Sequence, residues 1–131
     1  MKKIFILEDD PNRVKWFKAN LVSDDLHITE FAEEAMEWLR STKFDAIFLD
    51  HDLGGDQMVS SKVWNTGSTV AQMIHETENK DLTVIIHSYN PSGADVMHRS
   101  MKSNGVKSYY FAFRTPEFCN AVKLTNELES E

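Results

Sequence analysis

Two continuous apolar runs, each closed by carboxylates, constrain this chain more than any other feature. Ile4-Phe5-Ile6-Leu7 leads directly into Glu8-Asp9-Asp10, and Ala46-Ile47-Phe48-Leu49 leads directly into Asp50. A strand with one wet face alternates apolar and polar residues. A run without alternation fits a strand covered on both faces, as in a parallel sheet between two helical layers. Crowded carboxylates at the ends of such strands either hold a proton or recruit a cation. Glu8, Asp9, Asp10 and Asp50 therefore predict a divalent-metal and phosphate site.

The remaining pattern alternates strand and helix. Asp10-Pro11 is a helix start, with Asp at the cap and Pro in the first turn, and Val14, Phe17 and Leu21 recur at helical spacing up to Ser23-Asp24-Asp25. Leu26 and Ile28 alternate with His27 and Thr29 as a short second strand. Ala32, Ala35, Met36 and Leu39 make an amphipathic second helix, and Phe44 to Asp50 is the third strand. His51 to Thr66 shows no clear period, and Gly54-Gly55 argues for a mobile loop. Loops of this length often cover or complete a site, which makes Met58 to Trp64 a candidate lid. A third helix is expected from about Gly67 to Glu78, with Val70, Met73 and Ile74 inward. Thr83 to Ser88 reads as the fourth strand. Pro91 to Asn104 reads as the fourth helix, with Gly105 as its left-handed terminator. Val106 to Phe113 is the expected fifth strand. Thr115-Pro116-Glu117 opens a last helix with Phe118, Val122, Leu124 and Leu128 facing the sheet, and Glu127 to Glu131 reads as a frayed tail.

This order predicts an α/β fold: one domain over residues 1–131, built on a doubly wound, five-stranded parallel sheet of order 2-1-3-4-5 with about five helices. Ligands in such sheets sit at the carboxyl ends of the strands where the order reverses. Glu8, Asp9 and Asp10 are thereby expected beside Asp50, with His87-Ser88 at the end of the neighbouring strand.

Composition narrows the partners. The formal net charge is −7, without a stripe of Lys or Arg, so duplex nucleic acid, which is bound by neutralising phosphates, is not expected. A small phosphorylated ligand is compatible, because a bound cation reverses the local sign. Cys119 is the only cysteine, so no intrachain disulfide forms and a reducing, cytoplasmic setting is expected. Lys2-Lys3 precedes only four apolar residues before three acids, too short for an export or membrane segment, and no membrane partner is expected.

Oxygen ligands favour Mg²⁺ or Mn²⁺ over zinc, and a histidine ligand shifts the choice toward Mn²⁺ or another transition metal. Asp10 fits both a helix cap and metal support. Arg13, one helical turn on, fits an ion pair with Asp10, a solvated surface charge, or a two-pronged grip on a phosphate. His51 and His87 are candidate general acid–base groups. The plainer readings are a loop histidine bonded to a neighbouring carboxylate for His51 and a satisfied core histidine for His87. Ser88 and Asn90 offer neutral partners for phosphate oxygens, although Asn90 before Pro91 equally fits a helix cap. Ser92-Gly93 would bring backbone amides to the same anion. His27, His75 and His98 read as surface residues. Trp16, Trp38, Tyr109, Tyr110 and Phe111 read as core or sheet-facing. Trp64 suits loop anchoring or stacking on a base.

Glu8-Asp9-Asp10, Asp50 and Ser88, at the ends of strands one, three and four, resemble the signature of a response-regulator receiver domain over nearly the whole chain. The resemblance implies that Glu8, Asp9 and Asp50 hold Mg²⁺, that Asp52 lends the metal a backbone carbonyl, and that Ser88 contacts a phosphoryl group on Asp50. Receivers also carry a Lys near the end of strand five. This chain reads Tyr110-Phe111-Ala112-Phe113-Arg114 there, with Ala or Phe in place of that Lys and Arg114 as a substitute charge. The usual Met-Pro after the acceptor is replaced by Leu53-Gly54-Gly55. The combination Asp10…Arg13, Leu49-Asp50-His51-Asp52-Leu53 and His87-Ser88-Tyr89-Asn90 is similar to a divergent branch, the cyclic-phosphate processing receiver domains, which are predicted to act on cyclic phosphates. Three functions follow as expectations. The first is a metal-dependent phosphoesterase acting on a cyclic or nucleotide-type phosphate. The second is a signalling receiver phosphorylated on Asp50, with a protein partner. The third is a receiver-shaped interaction module without chemistry.

Overall fold

The computed structural model describes residues 2–23, 25–53 and 64–128. The expected Gly54-Gly55 loop, residues 58–63 of the candidate lid, Asp24 and tail residues 129–131 lie outside them.

The strands are β1 (Lys3–Leu7), β2 (Asp25–Thr29), β3 (Ala46–Leu49), β4 (Val84–Ile86) and β5 (Ser108–Tyr110). They form one parallel sheet in the order β2-β1-β3-β4-β5, the order expected from the sequence. The helices are α1 (Pro11–Asn20), α2 (Ala32–Ser41), α3 (Gly67–Ala71), α4 (Pro91–Ser103) and α5 (Pro116–Asn126).

Successive side chains on a strand point to opposite faces, and β1 shows why its run Ile4 to Leu7 carries no polar residue. From β1, Phe5 and Leu7 enter a cluster with Ala35 and Leu39 of α2 and Met97 of α4. Ile4 and Ile6 enter the other cluster with Phe17 of α1 and Phe118 of α5. Both faces are dry, so Ile4 to Leu7 are all 0 % exposed. Burying four such side chains contributes on the order of 6–12 kcal/mol relative to exposure, which anchors the carboxylates that follow.

Three expected elements come out shorter. The third helix is one turn, then a 3₁₀ turn over Ile74–Glu76. Ser68, Thr69 and Val70 are weak helix formers, and Thr77 closes the segment by donating N–H and Oγ1–H to the Ile74 carbonyl. β4 and β5 have three residues each, and isolated backbone bonds continue past them from Phe111 N to the Ile86 carbonyl and from Phe113 N to the His87 carbonyl. Gly105 has a φ of +79°, the expected left-handed stop after α4.

Four side chains expected inside are exposed: Tyr109, Tyr110, Leu124 and Leu128. β5 is an edge strand, which leaves its tyrosines half open. The two leucines border an apolar groove of ≈ 590 Å³ between α5 and the amino-terminal ends of β3 and β4, together with Ala46, Ile85 and Phe111. That groove lies at the end of the sheet opposite the strand-end carboxylates. His27 and His98 are also less superficial than expected: His27 packs edge-on against Trp38 and Phe44, and His98 bonds Ser108 at 2.7 Å.

Candidate metal and phosphate site

Leu7 of β1 pairs with Leu49 of β3, so Glu8 and Asp50 follow side by side at the carboxyl edge of the sheet. The next pair, Leu49 with Ile86, puts His87 level with Asp50, and the His87 N–H donates to the Leu49 carbonyl at 3.0 Å. Glu8, Asp50 and His87 are 2 %, 3 % and 0 % exposed. One donor atom from each lies within 4.8 Å of the others.

Backbone amides fix the carboxylates. Glu8 Oε2 accepts the N–H groups of Asp9 and Asp10, both at 3.0 Å, and Asp50 Oδ1 accepts the His51 N–H at 2.8 Å. The remaining oxygens point inward. Glu8 Oε1 lies 2.9 Å from His87 Nε2, a hydrogen bond with one proton between them. Arg13 Nη1 lies 3.5 Å from Glu8 Oε1 and 3.7 Å from Asp50 Oδ2. Arg13 therefore turns to these acids rather than to Asp10. Its guanidinium lies over the Tyr89 ring at 4.1 Å and the Phe113 ring at 5.1 Å, and the Tyr89 hydroxyl donates to the Phe113 carbonyl at 3.2 Å.

Burial dominates the electrostatics. It pushes the Glu8 carboxyl up to about 7 against the pull of the Asp10 amide and Arg13. Asp50 is likewise pushed up to about 7 by burial, with His87 and Arg13 opposing and Glu8 adding to the rise. Burial pushes His87 down to about 4, so its contact with Glu8 at neutral pH is a hydrogen bond rather than an ion pair. Two carboxyls that resist ionisation, a neutral imidazole and a guanidinium poised over them suit a divalent cation, whose binding would displace any proton the carboxyls hold. The residues fit such an ion, and Arg13 occupies the place of positive charge.

The other expected residues fall into three groups. Asp9 lies at the end of β1, while Asp10 serves as the α1 cap, accepting the Asn12 N–H at 2.8 Å. Ser88 stands one residue past the level of Asp50, at the end of the neighbouring strand as expected. It is fully buried, and its Oγ accepts the Asn90 N–H at 2.9 Å. Asn90 is the α4 cap: its Oδ1 accepts the Gly93 N–H at 3.0 Å, and its Nδ2 donates to Asp52 Oδ1 at 3.0 Å. That Gly93 amide is thus committed to Asn90. His51 Nδ1 is 2.8 Å from the same Asp52 oxygen, with its ring 0 % exposed under Gly93. His51, Asp52 and Asn90 therefore tie the end of β3 to the start of α4. Arg114 is an exposed turn residue with a φ of 66°.

Three residues escaped the sequence reading as parts of the site. Tyr89 and Phe113 hold Arg13, and Phe113 is one of the two residues standing in the region of the receiver Lys. Gly67 passes so close to the Asp50 carbonyl that a Cβ would meet it at 1.9 Å. Gly67 could have been suspected from its place at a helix start; the aromatic pair carries no local signal.

The family model of the cyclic-phosphate processing Receiver domain matches residues 4–103. The receiver domain of the sensor histidine kinase PA1611 from Pseudomonas aeruginosa, a structure with magnesium coordinated in its active-site cleft, superposes with a TM-score of 0.67 at 18 % identity, covering 97 % of this chain and 98 % of that one. The response regulator TrrA from Thermotoga maritima, in complex with Mg²⁺–BeF, gives 0.64 at 23 % identity over 95 % and 99 % of the two chains. A structure described as an adenylate cyclase from Rhodopirellula baltica gives 0.66 at 16 % identity over 96 % and 87 %. These likenesses are of fold. No protein of curated function matches the chain. Among the described residues no helix is long and apolar enough to cross a membrane.

Proposed function

This chain belongs to the cyclic-phosphate processing Receiver domain family, and on that premise we propose that it is a divalent-metal-dependent phosphoesterase acting on a small cyclic or nucleotide-type phosphate. The observation that carries this reading is His87, level with Asp50 and bonded to Glu8 at the base of the carboxylate cluster. The resemblance gives the phosphoryl-contacting hydroxyl to Ser88, while the region of the strand-five Lys, on which a phosphoryl relay relies, holds Ala112 and Phe113. Positive charge arrives instead from Arg13 on α1.

Glu8 and Asp50, with Asp9 beside them and the Asp52 carbonyl, would hold Mg²⁺ or Mn²⁺. Bound there, the cation supplies a Lewis acid for a phosphoryl oxygen and lowers the pKa of a coordinated water. Arg13 grips the phosphate: its planar donors suit two phosphoryl oxygens, and the rings of Tyr89 and Phe113 keep it over the cleft. Ser88 and Asn90 shape the rim through the α4 cap. Both histidine rings are completely buried, so His51 supports the loop and His87 belongs with the carboxylates at the base of the cleft, rather than either meeting solvent as a free acid or base. The expected setting remains cytoplasmic, with a small phosphorylated ligand and neither duplex nucleic acid nor membrane as partner.

The test is turnover of a panel of cyclic mononucleotides, cyclic dinucleotides and terminal 2′,3′-cyclic phosphates with Mg²⁺ or Mn²⁺. Metal-dependent hydrolysis abolished in Asp50→Ala is expected. Turnover that persists in Asp50→Ala excludes this site as its source. The second reading, a phosphoacceptor receiver signalling to a protein partner, is favoured by the position of Asp50 at the end of β3. It expects a metal-dependent spectral response to beryllofluoride or acetyl phosphate at millimolar concentration, without turnover of the panel.

A further inference from the structure

The cation site rests on the reading above, and its base contains a nitrogen. Two ligands at adjacent corners of an octahedral ion, each about 2.1 Å from it, stand about 3.0 Å apart. His87 Nε2 and Glu8 Oε1 stand 2.9 Å apart. One donor atom from each of Glu8, Asp50 and His87 lies within 4.8 Å of the others, so the three can converge on one face of a coordination sphere. The His87 ring is fixed in this pose. It is 0 % exposed and lies 5.2 Å from Phe17, 5.8 Å from Phe118 and 6.2 Å from Phe113 between ring centroids. Its backbone is pinned to β3, and its Nδ1 faces away from the carboxylates without a partner.

We infer that His87 Nε2 is a direct ligand of the cation, together with Glu8 and Asp50, and that this nitrogen makes the site select transition metals such as Mn²⁺ or Co²⁺ over Mg²⁺. Mg²⁺ takes oxygen almost exclusively, whereas the later divalent ions gain from imidazole in the Irving–Williams order. A site of carboxylates, carbonyl and water alone shows no such preference. Ligation by Nε2 puts the imidazole proton on Nδ1, against aromatic rings rather than a carboxylate. Histidine ligands backed by an oxygen acceptor bind about 10–100-fold tighter, so the site holds transition metals reversibly.

The experiment measures binding, not turnover. Mn²⁺ and Mg²⁺ dissociation constants are measured by calorimetry at pH 8 on wild type, His87→Asn, His87→Ser and Asp50→Asn, and the Mn²⁺-loaded wild type is examined by pulsed EPR for ¹⁴N coupling. Wild type is expected to favour Mn²⁺ over Mg²⁺ by at least about 100-fold and to show imidazole nitrogen coupling. His87→Asn and His87→Ser are expected to lose at least about tenfold in Mn²⁺ affinity while Mg²⁺ affinity changes little. An Mn²⁺-loaded wild type without nitrogen coupling, or a selectivity unchanged in the folded variants, overturns the inference while leaving the metal site standing. Wild type that binds neither ion, or an Asp50→Asn variant that binds both unchanged, removes the metal reading as well. The EPR arm needs no variant, so a failure of the substitutions to fold does not shelter the proposal.

Discussion

Replacing Gly93 with Ala tests the assignment of His51 to the framework of the site. A Cβ at position 93 would stand 2.4, 2.6 and 2.7 Å from three atoms of the His51 ring. The ring has no room to retreat: it is 0 % exposed, and Nδ1 is held by Asp52 at 2.8 Å. Overpacking of this kind costs about 1–3 kcal/mol, and breaking the His51–Asp52 bond adds about 1 kcal/mol. Gly93 is the third residue of α4, where Ala gains back roughly 0.5–1 kcal/mol of helix propensity. The net expectation is about 2 kcal/mol of destabilisation. With an unfolding entropy of about 2.1 cal/mol/K per residue, that lowers the melting temperature by about 7 °C for a chain of this size. The assay is a thermal melt of wild type, Gly93→Ala, His51→Ala and the double variant. Removing the imidazole opens the space, so the double variant is expected to be more stable than the summed single effects by at least about 1 kcal/mol. A Gly93→Ala protein as stable as wild type, or strictly additive effects, would refute the packing of His51 beneath α4.

Arg13→Met removes the cation held by Tyr89 and Phe113. A charged hydrogen bond is worth about 1.5–3 kcal/mol, so binding of a phosphate analogue to the metal-loaded protein, measured by calorimetry, is expected to weaken by roughly 10- to 150-fold, while Tyr89→Phe, which keeps the ring, changes it little. Metal binding should release protons and strengthen steeply with rising pH, because the Glu8 and Asp50 carboxyls, both pushed up to about 7, must ionise; equal affinity at pH 6 and pH 8 would contradict this. The metal-free protein should lose stability as pH rises from about 6.5 to 8. There the folded state keeps protons that unfolded carboxyls have already shed, so the slope of stability with pH is negative. His87, pushed down to about 4, works in the opposite sense only below its unfolded value near 6.5. A melting temperature flat from pH 6.5 to 8, or a decline retained in Glu8→Gln/Asp50→Asn, would show the carboxyls are not its source.

Much of this arrangement is visible in the order of residues, and the exceptions have physical causes. The apolar runs before Glu8 and Asp50 fit strands covered on both faces, and a common doubly wound order for five such strands brings the carboxylates together. Side-chain direction alternates with every residue, so a shift of one position decides which side chain faces a site. His87, not Ser88, falls level with Asp50, because Ile86 pairs with Leu49; no local pattern specifies that. The burial of His51 depends on the absence of a side chain at Gly93, a contact 42 positions along the chain. Arg13 finds Glu8, Asp50 and two aromatic rings rather than its helical neighbour Asp10, because Asp10 is already spent on the Asn12 amide. Leu124 and Leu128 lie at helical spacing with Phe118 and Val122, yet α5 leaves an open groove over the sheet where they stand. Periodicity tells which residues share a helix face; it does not tell how closely that face approaches the sheet.

The account depends on β1 and β3 aiming Glu8 and Asp50 at one cation. Its most direct test is a thermal shift of the metal-stripped protein titrated with Mn²⁺ at pH 8, alongside Asp50→Asn. A melting temperature that climbs with Mn²⁺ in wild type and stays fixed in Asp50→Asn is the predicted result. Equal shifts in both proteins, or none in either, would contradict it.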